Sequence, residues 1–96
     1  MSKLDIYKFR LYIAGSSQNS VQALSNLKAF CSERLPDQHE IEIVDVLLEP
    51  KRALADGVLL TPTLVKISPD PIRKIVGTLT QRPSLMAALG LSPEPA

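Results

Sequence analysis

The chain has 96 residues, 45% of them hydrophobic and 22% charged, and a formal net charge of +1. That length holds one domain with a modest core, which self-association as a dimer or tetramer would help to stabilise. A near-neutral charge with two Tyr, two Phe and no Trp offers nucleic acid neither a cationic field nor stacking rings, and no apolar run is long enough to cross a membrane.

Met1 to Ile6 carries no apolar signal segment and reads as an N-terminal extension, residues 1–6. The single Cys31 excludes an intramolecular disulfide, and a cytoplasmic location is expected. Tyr7 to Ala14 alternates as a strand, with Tyr7, Phe9, Leu11 and Ile13 on one face and Lys8, Arg10 and Tyr12 on the other. Gly15 to Ser20 breaks the pattern and supplies capping side chains, so that Asn19 or Ser20 starts a helix. Its apolar stripe is Val21, Leu24, Leu27, Cys31 and Leu35, and Pro36-Asp37-Gln38 closes it.

A second strand is predicted from Glu40 to Val46, parallel to the first because the helix between them is long enough for a right-handed crossover. Pro50 suits the first turn of a short helix over Lys51 to Asp56, with Gly57 as its stop. Leu59-Leu60-Thr61-Pro62-Thr63 then feeds a buried strand running from Thr63 to Ile67. Pro69-Asp70-Pro71 makes a stiff turn, and Ile72 to Val76 reads as a fourth strand antiparallel to the third. Ile72, Ile75, Val76 and Leu79 also fit helical spacing although three of the four are β-branched, so local pattern and local propensity conflict there. Thr80 caps a last helix with Pro83 in its early turn, Leu85 to Leu89 as its body and Gly90 at its end. Residues 92–96 are expected to fray as a flexible tail.

The order is βαβαββα in one α/β domain over residues 7–91, a thioredoxin-like arrangement. The Thr61-Pro62-Thr63 entry resembles the loop beside the active site of thioredoxin folds, which implies a cis Pro62. From sequence alone that bond would be trans, since only about 5–6% of X-Pro bonds are cis. A redox thioredoxin needs a Cys-x-x-Cys at the start of the first helix, and Gly15-Ser16-Ser17-Gln18-Asn19-Ser20 has none.

Tyr12-Ile13-Ala14-Gly15, Asn19-Ser20-Val21, Ala23-Leu24, Val44-Asp45-Val46-Leu47, Pro50, Thr61-Pro62-Thr63-Leu64, Lys66, Pro71 and Ile72-Arg73-Lys74-Ile75-Val76-Gly77 together resemble the KaiB family of the bacterial circadian clock operon. The resemblance implies a non-enzymatic binding protein without a cofactor, whose partner is a KaiC-type RecA-family ATPase. It also implies fold switching between a monomeric thioredoxin-like state and a tetrameric ground state ordered βαββααβ. The conflict at Ile72 to Leu79 falls in the half that switches, and Pro62, Pro71, Gly77 and Ala88 are the positions expected to influence conformation. Ala88 stands where clock members have glycine, favouring helix by about 1 kcal/mol. Gln22, Glu42 and Gly57 stand where those members have Arg or Lys, and their acidic tail is missing, features closer to members associated with stress adaptation.

Lys66, Arg73 and Lys74 lie on two neighbouring predicted strands, either as a solvated face or as a basic patch for an acidic partner. Asp45 interrupts an apolar strand, as a strand-end residue or as part of a partner surface. Cys31 on the helical stripe is expected to be an inert core thiol, and His39 a solvated turn residue with no ligand cluster around it. Three functions remain: a KaiC-binding module, an oligomeric stress protein that does not bind KaiC, and a thioredoxin-fold enzyme acting through Cys31.

Overall fold

The computed structural model describes residues 6–91. Of the expected extension only Ile6 is described, and the expected tail at 92–96 lies outside the described residues. The elements are β1 (Tyr7–Ile13), α1 (Gln18–Arg34), β2 (His39–Asp45), α2 (Pro50–Ala55), β3 (Thr63–Ser68), β4 (Arg73–Val76) and α3 (Arg82–Leu89). They form one four-stranded sheet ordered β2-β1-β3-β4. β1 is parallel to β2, β3 is antiparallel to β1, and β4 is antiparallel to β3.

Period-two alternation gives the sheet two different faces. Phe9, Leu11, Leu64 and the half-buried Ile41 and Ile75 pack with Ala23, Leu27, Phe30 and Cys31 of α1 and Leu85, Met86 and Leu89 of α3. On the other face a smaller cluster joins Tyr12, Val44 and Val65 to Ala53 of α2 and to Val58. The conflict at Ile72 to Leu79 resolves as strand because β3 offers a free ladder: Thr63, Leu64, Val65 and Lys66 pair with Val76, Ile75, Lys74 and Arg73. A helix through these residues would leave that side of β3 unpaired.

Four expectations change, and one is the Thr80 cap: α3 begins at Arg82 after Gln81, with no side-chain cap bond. Tyr12, assigned to the polar face, is fully buried, because α2 covers that face as well. The helix α1 starts earlier than predicted, capped by the Ser17 hydroxyl, which accepts from the Ser20 amide at 3.4 Å and lies 2.8 Å from the Ser20 hydroxyl. Ser20 Oγ in turn accepts from the Ala14 amide at 3.1 Å, so this serine is satisfied while buried. The buried stripe of the helix is Ser20, Ala23, Leu27, Phe30 and Cys31: Leu27 and Cys31 are buried as predicted, and so is Leu35 just beyond the helix, but Ser20 and Ala23 take the places expected for Val21, which is exposed, and Leu24, which is half-buried. His39 is the first residue of β2, half-buried, with its Nδ1 2.7 Å from the Leu35 carbonyl; it is not a solvated turn residue. The Thr61-Pro62, Ser68-Pro69 and Asp70-Pro71 peptide bonds are cis.

Candidate functional site

Strand directions bring four loops to one end of the sheet. Ile13 stands beside Asp45, Tyr12 beside Thr63 and Thr63 beside Val76. The loops after β1, after β2, before β3 and after β4 all leave from that end.

Local hydrogen bonds hold these loops in place. Asp45 Oδ1 accepts from the Gly15 amide at 3.1 Å and the Leu47 amide at 2.9 Å, and the Asp45 carbonyl accepts from the Leu48 and Glu49 amides. Thr63 Oγ1 donates to the Leu60 carbonyl at 2.6 Å, and the Gly77 amide donates to the Pro62 carbonyl at 2.9 Å. The Gly77 φ of 117° lies in a region that side-chain-bearing residues rarely adopt. Fixed in this way, the loops expose large apolar side chains: Leu47 at 70%, Leu48 at 79%, Leu59 at 88% and Leu60 at 63%, with Leu54 of α2 at 72%. Single exposed leucines are ordinary on a protein surface, but these five all come from one helix and the two loops beside it.

A polar network beside this cluster ties α2 to the sheet. Arg10 donates to Glu42 Oε1 at 2.8 Å through Nε and to Asp56 Oδ2 at 2.9 Å through Nη1, and Arg52 donates to Glu42 Oε2 at 2.7 Å. The Tyr12 hydroxyl donates to the Asp56 carboxylate, and the Lys74 ammonium donates to the Asp56 carbonyl. Those bonds account for the electrostatics. The Tyr12 hydroxyl and Arg10 hold the Asp56 carboxyl below its ordinary range, and Arg10 and Arg52 do the same for Glu42. Burial, followed by the Asp56 carboxylate, pushes the Tyr12 hydroxyl up. Asp56 at the end of α2 is the central acceptor of this network.

The four sequence-predicted binding residues do not converge. Asp45 is the half-buried strand-end residue that holds the loop bearing Leu47 and Leu48. Lys74 lies on the α2 face opposite Val65, whereas Lys66 and Arg73 are register partners on the face of α1 and α3. The expected single basic patch is thus split, because residues 73 and 74 of one strand point to opposite sides. Lys66 is moreover only 3% exposed. The exposed leucines had a legible signal in the apolar pairs Leu47-Leu48 and Leu59-Leu60, each outside a strand or helix and one residue short of a proline.

Chemistry is confined. Cys31 is buried in the core, and burial pushes its thiol up to about 12, which keeps it protonated and inert at neutral pH. Among the described residues no three His, Cys, Asp or Glu side chains gather as metal ligands, and no helix is long and apolar enough to cross a membrane.

Known proteins share this chain's sequence and fold. A family model described as the KaiB domain matches residues 10–91. Circadian clock protein KaiB3 of a Synechocystis species is 41% identical over 85 residues, 88% of this chain and 83% of that protein. The circadian clock oscillator protein KaiB of Prochlorococcus marinus is 37% identical over 91 residues, 95% of this chain and 84% of that protein. Among solved structures, the N-terminal domain of Synechococcus elongatus SasA superposes with a TM-score of 0.76 at 17% identity, covering 100% of this chain and 94% of that one. The Deadhead thioredoxin of Drosophila melanogaster gives 0.71 at 16% identity, covering 88% of this chain and 82% of that one. Those two likenesses establish a thioredoxin-like fold.

Proposed function

The chain belongs to the KaiB family, and from that premise we propose that it is a non-enzymatic regulatory protein that docks on a KaiC-type RecA-family ATPase, in timing or in stress adaptation. The observation that carries the reading is the leucine-rich loop end, with Leu47, Leu48, Leu54, Leu59 and Leu60 exposed on loops fixed by Asp45 and Thr63. A surface of this kind gains from being covered, at about 25 cal/mol per Å² of apolar area removed from water. Its rigidity lowers the entropy lost on docking. Arg52 of α2 and Lys74, bonded to the end of that helix, supply charge for register, whereas Asp45 acts by holding the loop that bears Leu47 and Leu48.

Docking is coupled to fold population. A partner that binds only this arrangement binds more weakly in proportion to the fraction of chain in a competing one. Ala88→Gly, in the half-buried part of α3, removes about 1 kcal/mol of helix preference and weakens docking without touching the leucine surface. Undiminished affinity in a variant whose fold population has shifted would refute the coupling.

Light scattering after size exclusion, on the protein alone and mixed with the KaiC-type ATPase of the same genome, tests the main reading. A complex is expected, weakened by Leu59→Ser with Leu60→Ser while thermal stability is unchanged. A stable oligomer that ignores the ring would instead assign the same leucine surface to self-association.

A further inference from the structure

A second feature lies on the opposite face of the sheet, independent of the leucine surface and of any reading of its partner. A pocket of about 230 Å³ opens between β3, β4 and the end of α3. Its walls include Tyr7, Lys66, Pro69, Arg73 and Ala88, with Asp70 at its rim.

Lys66 is the unusual member. The residue is only 3% exposed and its ammonium lies 6.0 Å from the centre of the Tyr7 ring; among the described residues that ammonium makes no hydrogen bond or ion pair, and it keeps its contact with water. Burying a charge without a partner is costly, and a buried lysine is ordinarily paired. Arg73, its register partner on β4, adds a second positive charge on the same face. The amine is held below its ordinary value by burial first and by Arg73 second, with Asp70 too weak to compensate. Two neighbouring cations that repel each other, one of them on a buried stem, are stabilised by an anion seated between them.

We propose that this pocket binds a small monocarboxylate, its carboxylate between Lys66 and Arg73 and its short apolar stem against the Tyr7 ring, Pro69 and Ala88. The charge balance selects the class. Asp70 and the carbonyl end of α3 at Ala87 to Gly90 also line the pocket, and both disfavour a second negative charge, so that phosphate and dicarboxylates are excluded relative to a monoanion. The apolar wall selects a carboxylate with a few carbons over formate or acetate.

The test is a heteronuclear NMR titration of the full chain with butyrate, followed by succinate and inorganic phosphate. Saturable shifts with butyrate are expected at Lys66, Arg73, Ala88 and Gly90, with weaker binding of the two other anions. Arg73→Gln, on an exposed residue of the edge strand, should weaken butyrate binding about tenfold, the usual effect of losing one charge-assisted hydrogen bond. Lys66→Met should abolish binding and, by keeping the buried stem while removing a charge that Arg73 repels, should unfold at a temperature no lower than the parent. Butyrate should raise the melting temperature of the parent and leave that of Lys66→Met unchanged. Absence of saturable shifts, phosphate binding as tight as butyrate, or undiminished binding by Arg73→Gln would each overturn the proposal, and none would affect docking through the leucine surface.

Discussion

Replacing Tyr12 with Phe tests whether the polar network holds α2 on the sheet. The ring stays packed against Val44, Ala53, Val58 and Val65, so only the hydroxyl is lost. The Arg52 carbonyl, 3.1 Å from that hydroxyl, still accepts from the Asp56 amide at 3.1 Å, and the Asp56 carboxylate keeps Arg10 at 2.9 Å. What disappears is one hydrogen bond to a charged group, worth about 1.5–3 kcal/mol. The Asp56 side chain is 30% exposed and water can replace part of that bond, so the lower end, about 1.5 kcal/mol, applies. A domain of this size should then melt about 6–12 °C lower.

The same substitution has a pH signature. In the fold the Asp56 carboxyl is held low, by the Tyr12 hydroxyl first and Arg10 after it. Its contribution is therefore full above the unfolded carboxylate value of about 4 and is lost as pH falls through the lower folded value. Urea unfolding followed by circular dichroism should show the full gap between parent and variant at pH 7 and a narrowing gap below about pH 4. At alkaline pH the sign reverses for Tyr12 itself. Its hydroxyl is pushed up in the fold by burial, so its contribution is full below the unfolded value of about 10 and is lost as pH rises through the folded value, a loss the Phe variant lacks. A variant as stable as the parent, or a gap that does not change with pH, would refute the network as the clamp on α2.

Cys31, buried and pushed up to about 12, should resist iodoacetamide at neutral pH in the native protein and react fully in urea, as mass spectrometry would record; native labelling would revive thiol chemistry. Asp45→Ala leaves the Gly15 and Leu47 amides without their side-chain acceptor and should cost about 1–2 kcal/mol, read by urea unfolding, with faster hydrogen exchange at those two amides. Gly90→Ala forces a side chain into the left-handed C-terminal position of α3, where φ is 72°, and should cost about 1–2 kcal/mol although the space there is open. Thermal unfolding unchanged by that substitution would place the end of α3 elsewhere.

Much of the architecture is legible in local chemistry. The alternation in Tyr7 to Ile13, Pro50 opening the short helix, and Gly90 closing the last one are short-range properties, and the seven elements follow in the predicted order. Where prediction and structure part, the missing information is long-range. Val21 carries the right spacing for the buried stripe, but Ser20 takes the inward place because the hydroxyl of Ser17 and the amide of Ala14 satisfy it. Tyr12 reads as polar-face because nothing in its own strand announces that α2 will cover it.

The sequence by itself determined the element order, the parallel crossover of β1 and β2 and the absence of a dithiol, because those depend on spacing and residue type within a few turns of chain. Only the tertiary structure decided that residues 73–76 form a strand, since the deciding hydrogen bonds come from β3. The pairing of Lys66 with Arg73, and the arrival of the loops bearing Leu47, Leu48, Leu59 and Leu60 at one end of the sheet, were likewise decided by the fold. Both follow from strand direction and register, which join residues far apart in the chain and which no local window contains.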